Sequence, residues 1–246
     1  SVRYPFWLLN KMITAALLGP LDPTDFWSDM DTNDVIQEIY RKIGKRYSGT
    51  KTVGFKEITK PGDAGNPISM FLGITNYFDS QHNAHGFGVR NFNIRGYEAF
   101  KELETPGDEV YNLVLKKKPH IIIIEIIDNV DTDQRRGFTE QNGKIPGKDK
   151  YAQVKDFKKK KKYKFGKMEY SLDSVGIRDI NQGHICALLT LNKKDYMFDG
   201  ENKVNIYRKD WKKLINRNED FKITPRIPEK YNFTKCYQCL VYYRSK

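Results

Sequence analysis

Ile185-Cys186-Ala187-Leu188-Leu189-Thr190-Leu191, followed by Asn192-Lys193-Lys194-Asp195 and then Tyr196-Met197-Phe198, is the stretch that decides the fold class. It reads as a strand, a tight turn and a second strand. Outward from it, Tyr170 to Ile177 reads as a strand on one side. On the other, Cys236 to Tyr243 alternates Cys236, Gln238, Leu240 and Tyr242 against Tyr237, Cys239, Val241 and Tyr243. Further upstream, Ile121 to Ile127 reads as a strand buried on both faces and Val110 to Leu115 as another, with a short helix expected around Asp210 to Ile215. The first third has helical apolar spacing instead: Trp7 to Leu18, stopped by Gly19-Pro20, then Val35 to Ile43, stopped by Gly44, then Ile68 to Phe78. Helices first and strands after predict an α+β domain with a segregated, mainly antiparallel sheet.

With 246 residues, the chain is long enough to bury a sizeable core. A hydrophobic share of 39% with 30% charged residues is a globular composition. Its longest apolar run, at Ile121 to Ile127, falls well short of the ~20 residues that span a bilayer and carries Glu125. Tyr4 to Leu18 lacks the charged lead-in and cleavage site of a signal peptide. Cys186, Cys236 and Cys239 are too few, and odd in number, for a secreted disulfide framework. An intracellular place, nucleus or cytoplasm, and no membrane partner are therefore expected. Cys236-x-x-Cys239 has no second pair and sits in an alternating run, where residues three apart face opposite sides, so it reads as two ordinary strand cysteines. His82-x-x-His85 with Asp79 reads as a polar loop, and Gly86-Phe87-Gly88 lacks the flanks of a phosphate loop. No metal and no cofactor is expected.

The order of elements resembles the ubiquitin-specific proteases, the papain-like deubiquitinases. Lys118-Pro119-His120-Ile121-Ile122-Ile123-Ile124-Glu125-Ile126 is similar to the family's proline and buried aliphatic strand. Tyr170 to Ile177 fits the strand before its histidine box, Gly183-His184-Ile185 the box itself, and Tyr196-Met197-Phe198-Asp199 its aromatic-aspartate step. Tyr237 to Arg244 looks like the last strand. The amino-terminal half matches more loosely: Trp7 to Leu17 resembles the nucleophile helix, and Asp63-Ala64 with Phe71-Leu72 a later helical segment. The resemblance implies one papain-like domain over 1–246, with a helical thumb-like part (1–80), a short fingers-like part (81–118) and a palm-like sheet (119–246) carrying a basic insertion at 148–168.

The resemblance also implies that the enzyme is dead. A cysteine protease needs a thiolate, a histidine to take its proton and a third group to orient the histidine. His184 and Asp199 would be the second and third. The nucleophile position is occupied by Trp7, whose indole offers no nucleophilic atom, and no cysteine precedes Cys186. Val2 to Phe6 contains no oxyanion-binding asparagine, and Gly200 follows Asp199 where an acidic residue is usual. A Cys186–His184 pair would lack the helix end that lowers a thiol pKa. The expectation is a pseudoenzyme retained as a binding module.

A net charge of +12 points to an anionic partner, either nucleic acid or an acidic protein face. It disfavours ubiquitin, whose positively charged tail the family holds in an acidic channel. The charge peaks in Lys155-Asp156-Phe157-Lys158-Lys159-Lys160-Lys161-Lys162-Tyr163-Lys164-Phe165-Gly166-Lys167. At this density like charges repel, so a mobile loop or a hairpin arm at the sheet edge is expected. Lys155, Lys158, Lys159, Lys160, Lys161, Lys162, Lys164 and Lys167 would contact phosphates non-specifically, and Tyr163 is counted with them. The run also reads as a nuclear-import signal or as a plainly solvated arm. Phe157, Tyr163 and Phe165 either stack on bases or anchor the arm to the domain. The compact, Lys/Ile/Asn-rich style suggests a large DNA virus as source and a host-interaction role.

Overall fold

In the computed structural model, the described residues are 90–128, 139–181, 183–191, 193–199, 206–225 and 227–245. The helices read at 7–18, 35–43 and 68–78, Trp7 and the His82/His85/Asp79 loop lie outside them. The described part is α+β. Its sheet is mixed and mostly antiparallel, with strands β1 (Asn91–Arg95), β2 (Ile121–Ile126), β3 (Lys162–Phe165), β4 (Met168–Arg178), β5 (Ile185–Leu191), β6 (Lys194–Phe198), β7 (Ile206–Arg208) and β8 (Gln238–Arg244). The spatial order is β1-β2-β8-β4-β5-β6-β7, with β3 also paired to β4.

The antiparallel sheet expected from the sequence thus has one parallel pair, β1 against β2 from Asn91↔Ile121 to Arg95↔Glu125. The two strands run the same way because a pair of helices, α1 (Tyr97–Glu102) and α2 (Glu109–Lys117), carries the chain back between them. Helix α2 replaces the strand expected at Val110 to Leu115. Val110, Tyr111, Val114 and Leu115 lie on one helical face against the core. Asp108 precedes the first turn, Lys116 and Lys117 lie in the last, and Lys118 ends the helix in the left-handed conformation at φ 46°. Alternation and helical spacing overlap in so short an apolar run, and contact with the core selects the helix.

Strand β2 is a β-branched run buried along five of its six residues, because β1 and β8 flank it and side chains cover both faces. The last strand, β8, inserts between β2 and β4 and so joins the two halves of the sheet. Strand β4 serves two neighbours along one edge. Residues 168–171 pair with β3 and residues 174–178 with β5, and the register against β8 slips by one residue between Leu172 and Ser174.

The core is strongly aromatic. Tyr97 meets Phe157 edge-on at 5.2 Å, Phe165 lies 5.0 Å from Tyr111 and 5.6 Å from Tyr170, and Tyr163 lies 5.0 Å from Tyr242. Beyond β6, Trp211, Phe221 and Phe233 stack at 5.6–6.4 Å, with Trp211 at the start of a single 3-10 turn (Trp211–Lys213) where a short helix was expected. Among the described residues no helix is long and apolar enough to cross a membrane.

Candidate functional site

Strands β5 and β6 form an antiparallel hairpin in the register Ala187↔Phe198, Leu188↔Met197. Continuing that register places Asp199 across from Cys186, on the face that buries Leu188 and Met197. His184 enters β5 two residues earlier, and its Nε2 meets Asp199 Oδ1 at 2.6 Å. The hairpin therefore brings together the two residues that the sequence singled out as histidine and orienting acid. The carboxylate is 1% exposed and the imidazole 14%. Asp199 takes Nε2, the ring nitrogen that in a Ser-His-Asp triad faces the nucleophile, whereas the orienting acid there takes Nδ1.

Asp179, which the sequence reading missed, holds the approach to the pair. Its Oδ1 accepts from the His184 backbone N–H at 2.7 Å and its Oδ2 from Asn181 N–H at 3.0 Å, while its own N–H donates to the His184 carbonyl at 2.8 Å. An aspartate at the end of a predicted strand, five residues before the histidine, was the available signal. The residue before it is also anchored: Arg178 Nη2 donates to both oxygens of buried Asp128 at 2.5 Å, and its guanidinium stacks over Tyr237 at 5.5 Å.

No family model matches the chain, and no curated protein matches it. Among solved structures, the crystal structure of an essential yeast splicing factor is similar at 13% identity, with a TM-score of 0.41 over 87% of this chain and 54% of that one. The chain thus spans about half the length of that neighbour. A similarity this slight assigns neither a fold nor a function.

The thiols are placed for packing. Cys186, Cys236 and Cys239 are all buried and unpaired in disulfides. Burial raises the pKa of all three, Cys236 and Cys239 to about 12 and Cys186 further still. At Cys186 the hydrogen bond with the Tyr231 hydroxyl offsets part of this, while the Asp199 charge opposes a second anion and adds to it. A neutral thiol is a poor nucleophile. Among the described residues no group of three His, Cys, Asp or Glu side chains could hold a metal ion.

The basic segment is built into the fold. Val154–Asp156 forms a 3-10 turn closed by a reciprocal cap, Gln153 N–H donating to Asp156 Oδ2 at 2.8 Å. Lys162–Phe165 forms β3, a hairpin with β4 around Gly166. The expected hairpin at the sheet edge is present, but it is pinned along its length. Tyr242 Oη donates to the Lys160 carbonyl at 2.7 Å and Leu172 N–H to the Lys161 carbonyl at 2.8 Å. Charge repulsion that would favour a mobile loop is overcome because every inward-facing aromatic buys core contact.

Phe157, Tyr163 and Phe165 are 0–4% exposed and therefore anchor the segment; no base can stack on them. Lys159, counted among the phosphate contacts, is likewise turned inward at 3% exposure. Its Nζ donates to the Phe233 carbonyl at 2.5 Å, and desolvation, with a smaller push from Lys158, lowers its pKa from 10.5 to about 7. The other seven lysines of the segment are exposed. Of these, Lys160 reaches Glu104 at 3.4 Å and Lys162 reaches Glu169 at 2.7 Å.

Proposed function

We propose that this chain is a deubiquitinase-like pseudoenzyme, a papain-like scaffold without peptidase activity that works as a binding module for an anionic partner through its basic surface. The observation that carries the reading is the His184–Asp199 pair, assembled on its hairpin in a chain whose three thiols are all buried with raised pKa. A histidine and acid without a thiolate can hold a hairpin end together but cannot open a peptide bond by nucleophilic attack. The element order of the carboxyl half, strand by strand up to the histidine box and beyond, supports the family resemblance. The exposed lysines on an ordered edge support the anionic partner, with ubiquitin disfavoured by the same charge.

Two assays on the whole chain test this reading. A fluorogenic ubiquitin carboxyl-terminal substrate should show no release above buffer, and a fluorescent DNA duplex should bind at about 100 mM salt and weaken steeply as salt rises. Release that disappears on alkylating a cysteine would overturn the pseudoenzyme half. Absent binding to the duplex together with a heat of binding to ubiquitin would overturn the anionic-partner half.

A further inference from the structure

The lysine-rich segment drew attention from sequence alone, but a second basic element, distant in the chain, faces it. Lys161 with Lys212, Lys213 and Arg217 lines a cleft of about 490 Å³, floored by Ile215 and Asn216, and no carboxylate is among its described lining residues. Both walls are fixed. The Asn216 side chain latches the Lys159 backbone from both ends, accepting from its N–H at 2.9 Å and donating to its carbonyl at 2.7 Å. The opposite wall is a turn held by Leu214 N–H to the Trp211 carbonyl and Arg217 N–H to the Leu214 carbonyl, each at 2.9 Å.

The cations differ in how far they are already satisfied. Lys212 is mostly covered, lies over the Trp211 ring at 5.3 Å and reaches Asp195 at 3.5 Å. Lys213 meets Asp210 at 2.5 Å and Arg217 meets Glu219 at 3.9 Å, but all four side chains are more than half exposed. Exposed pairs of this kind are worth about 0–1 kcal/mol, so a phosphate can displace them. Lys161 makes no ion pair among the described residues.

We propose that the cleft walled by Lys161, Lys213 and Arg217 takes the phosphate backbone of a nucleic acid. The inference rests on the anionic-partner reading above and narrows it to one site and one chemistry. Two observations favour a string of phosphates over an acidic protein face. First, exposed lysines continue from Lys161 along the outward side of β3 at Lys162, which is paired with Glu169 at 2.7 Å, and Lys164, residues two apart and so about 7 Å from each other. A line of charge suits a repeating anion. Second, Phe157, Tyr163 and Phe165 of the segment and Trp211 of the opposite wall are inside the core, so the cleft itself offers cations without the exposed rings that anchor a protein partner. The same burial makes the contact one with the backbone alone, blind to base sequence and indifferent to whether the strand is paired.

The test is duplex binding by fluorescence anisotropy across a salt series. It compares wild type, the triple variant Lys161→Gln/Lys213→Gln/Arg217→Gln, and an arm variant Lys158→Gln/Lys164→Gln/Lys167→Gln. Each phosphate contact contributes about 0.9 to the slope of log K against log salt. The triple variant should therefore lose about 2.7 of that slope, and about two orders of magnitude in affinity near 0.1 M salt. Lys213→Arg should bind like wild type. A wild type that binds, beside a triple variant that is unchanged and an arm variant that collapses, refutes the cleft and leaves the general reading standing. A wild type that does not bind refutes the cleft, and removes the general reading as well when it is accompanied by a heat of binding to ubiquitin. Equal competition by a polyglutamate of matched charge would also overturn the proposal, since it would mark the cleft as an acidic-protein site. Should the triple variant not fold, acetylation of the wild type decides the matter. The duplex must protect Lys161 and Lys213 while leaving Lys148 and Lys150 reactive, and equal labelling of all four overturns the assignment.

Discussion

Lys159 is the residue whose removal tests the described structure most directly. It is inside the core, its ammonium has one carbonyl partner among the described residues, and its pKa falls from 10.5 to about 7. Between those two values the unfolded chain holds a proton that the folded chain has shed. Unfolding therefore takes up a proton and stability rises with pH, whereas below about pH 7 both states are protonated and the dependence vanishes. Each pKa unit is about 1.4 kcal/mol, and averaging over the partly titrated region gives about 2 kcal/mol gained by the wild type between about pH 7 and pH 9. Lys159→Met keeps the length of the stem, cannot titrate and removes one of the two donors of the Phe233 carbonyl, which keeps Gln238 Nε2 at 3.0 Å. That loss of one bond costs about 0.5–1.5 kcal/mol, while the relief from burying an ammonium is of similar or larger size near neutral pH.

The variant should consequently be no less stable than wild type at pH 7 and should fall behind it by pH 9. The assay is urea unfolding of both proteins at the two pH values, followed by fluorescence. Other groups titrate equally in the two proteins and cancel in the difference, which should change by about 2 kcal/mol in favour of wild type. A difference that does not move with pH would mean that Lys159 carries an ordinary pKa. The packing of the basic segment described above would then be wrong.

Two further outcomes are expected. Asp128→Asn leaves the Arg178 guanidinium half-buried without its carboxylate and should cost about 3–5 kcal/mol, read by denaturant unfolding; a loss under about 1 kcal/mol would show the pair to be solvated. The three thiols should react with a disulfide reagent only as fast as the protein unfolds, because burial both hides them and holds their protons; rapid native-state labelling of Cys186 would reopen it as a nucleophile beside His184.

How the site became legible differs from residue to residue. His184 and Asp199 were found through spacing and resemblance, and the hairpin between them is local, so their meeting follows from register once Leu191 is paired with Lys194 across a tight turn. Asp179 was overlooked because its work is done for backbone groups across a six-residue turn, which leaves no side-chain pattern to read. Lys212, Lys213 and Arg217 were overlooked because nothing in the chain order places them beside Lys161. The latch between Asn216 and Lys159 spans 57 residues.

By itself the sequence determined the strands at 170–177, 185–191, 196–198 and 236–243, though not β7, and the buried character of most of Ile121–Ile126, and it offered the edge hairpin as one of two fates of the basic run, since period-two alternation and tight turns are local properties. Tertiary structure alone decided three things. It made Val110–Leu115 a helix, since the core accepts one face of it. It set β8 between β2 and β4, since strand pairing is a choice among distant edges that no local pattern encodes. And it turned Lys159 inward while its neighbours stayed in water: Lys161 has the same parity and is exposed, so the Asn216 latch on the Lys159 backbone and the Phe233 carbonyl, both distant in sequence, decide which lysine loses its solvent.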